Sequence, residues 1–549
     1  MLYVTVGREG ELVTTESSSN KNFIRGAAIL AAAGIISRIL GALYRIPLAN
    51  LLGDEGIGLF ELAQPLYNFF LTASTAGLPL AISKLVSEKT AVRDERGAMD
   101  VFKVALVFLL FTGVLSATVM FTTADWLAGN VYNDPRGALS IKAITPALIF
   151  VTVVSAFRGF FQGRQEMAPS AISQVLEQLF RVGSMLLLAM LLLPKGLEYA
   201  AAGTALGAGI GGFIGLGYLI IKFVPYVRNN RRKKAVAYGE YRTPWGQIIK
   251  SIFVISIPVA LGASVLPIVR AIDSWIVPMR LAVAGFTGQE ATALFGQLNG
   301  MAMPIVYFPN VITLAIASSV VPAISEAYVL KGKRKIVDKA REVIRVTAMI
   351  AVPAGIGILV MSSQICSFLY SKPEVGGVLA SLSGAAIFLC ILQTSAAILQ
   401  GMGKVVLPVK NMIIGSLVKI AFEFTLTAIP SVNVVGAGIS TSVGFAVVAI
   451  LNMIDVRRHI DGDLNLMSSF LKPVISTAVM ALLVMGSYPL FFKLFNRVSI
   501  ATLAAIGIGV LVYLVLMLRI GGITEHDFGM IPKFGPKLVK LFKKMKLMR

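Results

Sequence analysis

The chain has 549 residues, 56% of them hydrophobic and only 14% charged, against about 25% charged in a soluble domain. A mean hydropathy of +0.80 excludes a soluble globular protein, and two cysteines exclude a disulfide-stapled module. The formal net charge of +22 would suit a nucleic-acid binder, but the bases sit in alternate loops, which points to a membrane protein instead.

Residues 1–20 are mixed and polar and lack the apolar core of a cleavable signal peptide. They read as a disordered part of a cytoplasmic tail, 1–22, or as the product of an upstream start, with the first span serving as an uncleaved anchor. Apolar runs long enough to cross ~30 Å of hydrocarbon then recur at roughly 23–51, 57–86, 100–122, 139–163, 169–193, 197–224, 248–281, 292–329, 337–365, 376–401, 405–429, 433–457, 469–493 and 499–519. The fold class is therefore an all-α polytopic membrane protein with about fourteen helices. The runs are too long and too continuously apolar for strands of a barrel.

Lys89, Arg93 and Arg96 follow the second span, Lys222 to Arg242 the sixth, Lys331 to Lys335 the eighth, and Arg457 with Arg458 the twelfth; the loops between hold few bases. That is the positive-inside pattern, with both termini cytoplasmic. The charge then speaks for inner-leaflet anionic lipid, not nucleic acid. Residues 225–247 form a basic cytoplasmic linker between an N-lobe, 23–224, and a C-lobe, 248–457.

The lobes repeat. Gly53-Asp54-Glu55 with Leu59-Phe60 recurs as Gly288-Gln289-Glu290 with Leu294-Phe295, and Arg45 recurs as Arg280, both 235 residues on. Ala81-Ile82-Ser83 recurs at 242, Gln162-Gly163 at 238 and Gly203 at 235. Six spans per repeat, joined on the cytoplasmic side, put both repeats in the same orientation about an axis along the membrane normal. The site is then expected between them near mid-membrane, with two rocking lobes giving alternating access. Gly203, Gly207, Gly211 and Gly215 leave one smooth face on the sixth span for close helix approach. Beyond 469–519, the tail 520–549 carries Leu538, Leu541, Phe542 and Met545 opposite Lys537, Lys540, Lys543 and Lys544, the pattern of an interfacial helix on anionic lipid.

An ionisable group within a span costs about 2.5–3.5 kcal/mol to insert and is a functional candidate by default. Arg38, Arg45, Arg270, Asp273 and Arg280 lie on the first span of each repeat. Arg270 and Asp273, three apart, can pair, and the repeat mates Arg45 and Arg280 are expected to face each other across the cleft. The alternative is that Arg45 and Arg280 snorkel to the interface. These five are the expected substrate-binding residues, presenting cations to an anion. Glu177 with Arg181, and Lys419 with Glu423, are i,i+4 pairs on the fifth and eleventh spans that either self-neutralise or act in coupling and gating. Lys84 and Arg158 lie at cytoplasmic span ends, where snorkelling is cheap. Cys366 and Cys390 read as packing residues. No catalytic triad, metal cluster or ATPase signature is present; GAGIGG at 207–212 follows no strand. The expectation is a transporter rather than an enzyme, using no ATP and no cofactor beyond a possible coupling cation.

SRILGALYRIPLANLLGDEGIGLFELAQPL, from residue 37, resembles the opening of MurJ-type lipid II flippases of the multidrug/oligosaccharidyl-lipid/polysaccharide exporter superfamily, in its Gram-positive branch with the stage V sporulation protein B-like transporters. The resemblance extends over residues 23 to about 519. It implies a V-shaped cavity that carries undecaprenyl-diphosphate-linked glycan between leaflets, with the last two spans, 469–519, forming a groove for the lipid tail, and cell-wall synthases as possible partners. By position, Arg38 and Arg45 match the two arginines of the family's first-span motif, one residue further apart than in Gram-negative members. Asp273 falls where some members have an acidic cation ligand, and Lys419 near where some bind sodium, so that its ammonium would replace the ion. Where Gram-negative members carry further arginines in the second and eighth spans, this chain has Gln64, Asn68, Gln297 and Asn299.

Overall fold

The computed structural model describes residues 15–232, 244–330, 332–460, 462–525, 527 and 535–544. Most of the expected N-terminal tail, the middle of the linker and part of the C-terminal tail lie outside the described residues. Among the described residues there is no strand.

The N-lobe is built from α1 (Thr15–Leu43), α2 (Arg45–Thr75), α3 (Leu78–Ala91), α4 (Glu95–Trp126), α5 (Gly137–Gly163), α6 (Met167–Leu192) and α7 (Leu197–Arg232). The C-lobe holds α8 (Trp245–Val283), α9 (Gly288–Gly296), α10 (Met303–Val329), α11 (Lys333–Val360), α12 (Ser362–Tyr370), α13 (Val375–Ser381), α14 (Ser383–Gly401), α15 (Val406–Leu426) and α16 (Asn433–His459). Two further long helices, α17 (Leu466–Phe495) and α18 (Val498–Arg519), pack together, with α17 also against α11. A short helix, α19 (Gly535–Lys544), covers the basic segment of the tail.

Eleven described helices are long and apolar enough to span, or twelve if the bent α8 counts as one. One of them, Ala28–Ala91, is 64 residues long, about twice what a bilayer needs at 1.5 Å per residue. It divides at Gly53, whose φ of 69° breaks α2 into the end of one span and the start of the next. The 21-residue α15 carries Lys410, Lys419 and Glu423, charges that lower its hydropathy without shortening it. With these two accounted for, the fourteen spans expected are present. The chain is a multi-pass membrane protein.

Alternating helix direction gathers the turns around 89–96, 332–335 and 462–465 at one end of the bundle, the basic end. The turns around 53–55, 127–136, 284–290 and 371–374 meet at the other, base-poor end.

Glycine sets how closely the helices approach. On α7, a Cβ at Gly211 would lie 2.6 Å from the Glu177 carbonyl oxygen, and one at Gly207 2.8 Å from the Met185 nitrogen, so the stripe seats α7 directly on the α6 backbone. Packing in the two lobes recurs to a tenth of an ångström: a Cβ at Gly159 would lie 2.9 Å from Ile82 Cβ and 3.0 Å from the Pro79 oxygen, and one at Gly401 2.9 Å from Ile324 Cβ and 3.0 Å from the Val321 oxygen. These equivalences follow the 242-residue offset of Ala-Ile-Ser, so Gly401 corresponds to Gly159, one helical turn before the expected Gly163.

The helix α8 joins the lobes. It bends by 67° between Ile257 and Gly262, a segment that contains Pro258 and breaks as proline-containing helices do. Its first half packs on the N-lobe: Ile248 and Ile252 enter the cluster of Leu78, Val101 and Leu109, and Phe253 meets Phe108 edge-on at 5.2 Å. Its second half lines the space between the lobes.

Candidate functional site

Between the lobes lies a cavity of about 440 Å³, walled by α1 and α2 on one side and by α8, α10, α15 and α16 on the other. Four cations line it, Arg38, Arg45, Arg270 and Lys419, against two carboxylates, Glu61 and Asp273.

These charges differ in how far they are satisfied. Arg45 Nη1 donates to Glu61 Oε1 at 2.8 Å and to the Asn299 carbonyl at 3.2 Å. Lys419 pairs with Asp273, and its Nζ is 3.7 Å from Glu423 Oε2. Among the described residues Arg270 forms no ion pair with a carboxylate; it donates to Tyr307 Oη at 2.8 Å and stacks on that ring with its guanidinium 5.3 Å from the centroid. Arg38 is exposed to the cavity, with no hydrogen bond or ion pair among the described residues. Asn299 adds a buried side-chain Nδ2 with no acceptor among the described residues. The uncompensated charge is positive and belongs to Arg38 and Arg270, planar guanidinium groups suited to bidentate contact with phosphate oxygens.

The base-poor end is shut by bonds between lobes. Asp54 accepts from Gln297 at 3.0 Å and from Lys372 at 2.7 Å. Thr292 donates to Asp134 at 2.9 Å, and Asn50 to the Leu369 carbonyl at 2.9 Å. Backbones touch here because side chains are missing: a Cβ at Gly58 would lie 2.0 Å from the Thr292 oxygen, and one at Gly296 2.1 Å from the Asp54 oxygen. Gln297–Ala302, facing this seam, winds as a π-helix, a rare form frequent at functional positions. Asp134 lies in the turn between α4 and α5. Burial raises its carboxyl pKa, but hydrogen bonds from Arg136 and Thr292 outweigh that and hold it below the ordinary aspartate range. The closed base-poor end leaves the cavity facing the basic end.

A second, apolar cavity of about 590 Å³ runs between α10, α11, α17 and α18. Pro304 lines both spaces, so the groove begins at the wall of the charged cavity.

Of the expected site residues, Arg38, Arg45, Arg270, Asp273 and Lys419 come together. Arg280 does not join them. Its Nε donates to the Phe424 carbonyl at 2.8 Å and its guanidinium lies 4.0 Å over the Phe424 ring. It is two turns past Asp273 on the same face of α8, and that face looks onto α15, so it does not meet Arg45. Nor do Arg270 and Asp273 pair, because Lys419 takes the carboxylate and Tyr307 the guanidinium. Glu177 and Arg181 pair at 3.1 Å as spacing implies, but Glu177 also binds Arg158 from α5 at 2.8 Å, so Arg158 does not snorkel. This triad stays inside the N-lobe, away from the cavity lining. Glu423 sits behind Lys419, 1% exposed.

Sequence reasoning missed Glu61, Tyr307 and the lock formed by Asp54, Asp134, Thr292 and Lys372. Glu61 was legible: it is an acid in an apolar span, eight residues after Gly53 as Arg45 is eight before, so a helical hairpin turning at Gly53 brings them level.

Fold and cavity together define a two-lobed membrane transporter with a basic central cavity. The chain belongs to the polysaccharide biosynthesis protein family, which it matches over residues 23–328. It is 30% identical to stage V sporulation protein B of Bacillus subtilis (strain 168), over 80% of this chain and 84% of that one. It is 27% identical to the lipid II flippase MurJ of the same organism, over 80% of this chain and 83% of that one. Its fold is similar to a solved structure described as lipid II flippase MurJ in an inward closed conformation, with a TM-score of 0.66 and 15% identity over 89% of this chain and 98% of that one.

Proposed function

We propose that this protein flips an undecaprenyl-diphosphate-linked peptidoglycan precursor, lipid II, from the inner to the outer leaflet of a bacterial plasma membrane by alternating access. The observation that carries the reading is the pair of uncompensated guanidinium groups, Arg38 and Arg270, in a cavity whose wall continues into an apolar groove at Pro304. A diphosphate glycolipid needs both surfaces. Its headgroup cannot shed water in hydrocarbon without partners, and its tail has no reason to leave lipid for an aqueous cavity. The 27% identical relative named as a lipid II flippase supports the choice of lipid.

The basic end faces the cytoplasm with both termini, as the loop charges argue. The described conformation then receives substrate from the inside. Moving a diphosphate outward along an inside-negative potential gains about 2.3 kcal/mol per charge per 100 mV, and the positively lined cavity is drawn back by the same field. The cycle needs no ATP. The ammonium of Lys419, held between Asp273 and Glu423, takes the part of an inorganic coupling cation. The α19 helix with Lys540, Lys543 and Lys544 rests on anionic inner-leaflet lipid, and wall synthases are the natural partners of the product.

The similarity to a sporulation protein at 30% identity favours a second reading, another polyprenyl-diphosphate-linked glycan as cargo. A drug antiporter exporting cations is disfavoured, since a cavity with four cations and two carboxylates repels its substrate. The test is depletion of the protein in its host with leaflet-specific labelling of lipid II. Accumulation in the inner leaflet, relieved by wild type and not by Arg38→Ala, is expected. An unchanged leaflet distribution would overturn the lipid II reading and move the assay to other polyprenyl-linked glycans.

A further inference from the structure

Glu61 is out of place in a cavity that binds an anion. It is a carboxylate on α2, 5% exposed, and nothing in the transport reading above gives it a task. Its position is specific. Glu61 Oε1 and the Asn299 carbonyl both accept from Arg45 Nη1, at 2.8 and 3.2 Å. Glu61 belongs to the same lobe as Arg45, whereas Asn299 lies on the π-helical turn of the other lobe. The next residue, Gly300, lets its backbone close on the α2 side chains at this point: a Cβ there would lie 1.8 Å from Ile57 Cγ2 and 3.6 Å from Glu61 Cγ. One nitrogen of Arg45 is thus held by an internal carboxylate while it ties the lobes together. A guanidinium has five N–H donors in a fixed fork; both on Nη1 are taken by these bonds, so an oxyanion that grips the Nη1–Nη2 edge bidentately has to displace them.

We propose that Glu61 is a positioning residue, a built-in counter-anion that holds Arg45 in the bond to Asn299 and yields it to the diphosphate of the substrate. The inference rests on the lipid-diphosphate reading of the cavity. A diphosphate carries more charge than a carboxylate and engages a guanidinium bidentately, so it competes well for Arg45. Arg38 lies seven residues earlier on α1, about 10 Å toward the basic end, and meets the anion first. When Arg45 turns to the diphosphate, the Asn299 carbonyl loses its donor, and the base-poor end loses one of the bonds that shut it. After the lipid leaves, Glu61 takes Arg45 back. The carrier then returns without an unpaired guanidinium at this depth, where an unpaired buried charge is costly.

The experiment places spin labels at Lys195 and Glu374, exposed at the base-poor end of the two lobes, in full-length protein in nanodiscs with Cys366 and Cys390 replaced by serine. The probe is undecaprenyl diphosphate. Wild type is expected to show the short distance alone and a longer one with probe. Glu61→Gln is expected to show the longer distance without probe, to bind the probe about tenfold tighter because its competitor is gone, and to turn over more slowly; Glu61→Asp should restore wild-type behaviour. A merely structural Glu61 would weaken binding and turnover together, and that result, or a probe-free distance identical to wild type, overturns the proposal. Should Glu61→Gln fail to fold, Arg45→Gln must show the same probe-free opening. Failure of wild type to bind undecaprenyl diphosphate would instead sink the substrate reading, with the probe-free distances still deciding the role of Glu61.

Discussion

At Lys419 two carboxylates from different helices converge on one ammonium: Asp273 from α8 and Glu423 one turn along α15, all three at most 16% exposed. Removing one partner of a buried ion pair strands the other charge and costs about 3–5 kcal/mol, more than a surface pair returns. Lys419→Met is therefore expected to lower the melting temperature and abolish transport in a vesicle assay; unchanged transport would refute its role as the tethered cation. The i,i+4 relation to Glu423 was legible in the sequence because helix geometry fixes it. The bond to Asp273 was not, because partners 146 residues apart are chosen by how α8 and α15 pack. The same limit explains Arg280: repeat spacing aligned it with Arg45, but spacing does not say which neighbouring helix each faces.

The element that closes the cavity is the seam of the second half of α2 against α9 and the π-turn, and its key residues are glycines. At Gly58, alanine would favour the helix by about 1 kcal/mol, but its Cβ would lie 2.0 Å from a backbone oxygen of the opposite lobe. Overpacking of this kind costs about 1–3 kcal/mol and falls only on the closed arrangement. Gly58→Ala is expected to fold and to shift the lobes toward an open base-poor end, read as faster labelling of a cysteine placed at Ala291, which α9 keeps buried in the seam; labelling as slow as in the same reporter without Gly58→Ala would contradict the packing argument. The turn holding Asp134 sets the pH limit of the same seam. Its folded pKa lies below the free value of 3.8, so its contribution is complete above 3.8 and is lost only as pH falls through the depressed value. Closure at the base-poor end should therefore be constant from about pH 5 to 8 as far as Asp134 is concerned, and Asp134→Asn should loosen it at every pH in that range, measured by the same labelling. Helix existence and Gly53 as a turn could be read from hydropathy and glycine placement. The π-turn at 297–302 could not, since no local signal distinguishes it from α-helix.

Over the whole molecule, charge and repetition carried most of the legible information. Alternation of basic and base-poor loops marked the two ends; the repeats were legible too, but the 238-residue match of Gly163 to Gly401 was one turn off, since the packing equates Gly401 with Gly159. The bend of α8 onto the N-lobe crosses the expected lobe boundary and was hidden, because an apolar run says how long a helix is and not which lobe it packs on. Four cations against two carboxylates in the cavity make the central claim electrostatic: guanidinium groups carry a diphosphate lipid along the membrane potential. The most direct measurement is flipping of fluorescent lipid II in sealed vesicles with an imposed, inside-negative potassium diffusion potential, for wild type and for Arg38→Ala with Arg270→Ala. The account expects wild-type flipping that rises with the potential and a double variant at the protein-free rate. Equal flipping by both, or a wild-type rate indifferent to the potential, would contradict it.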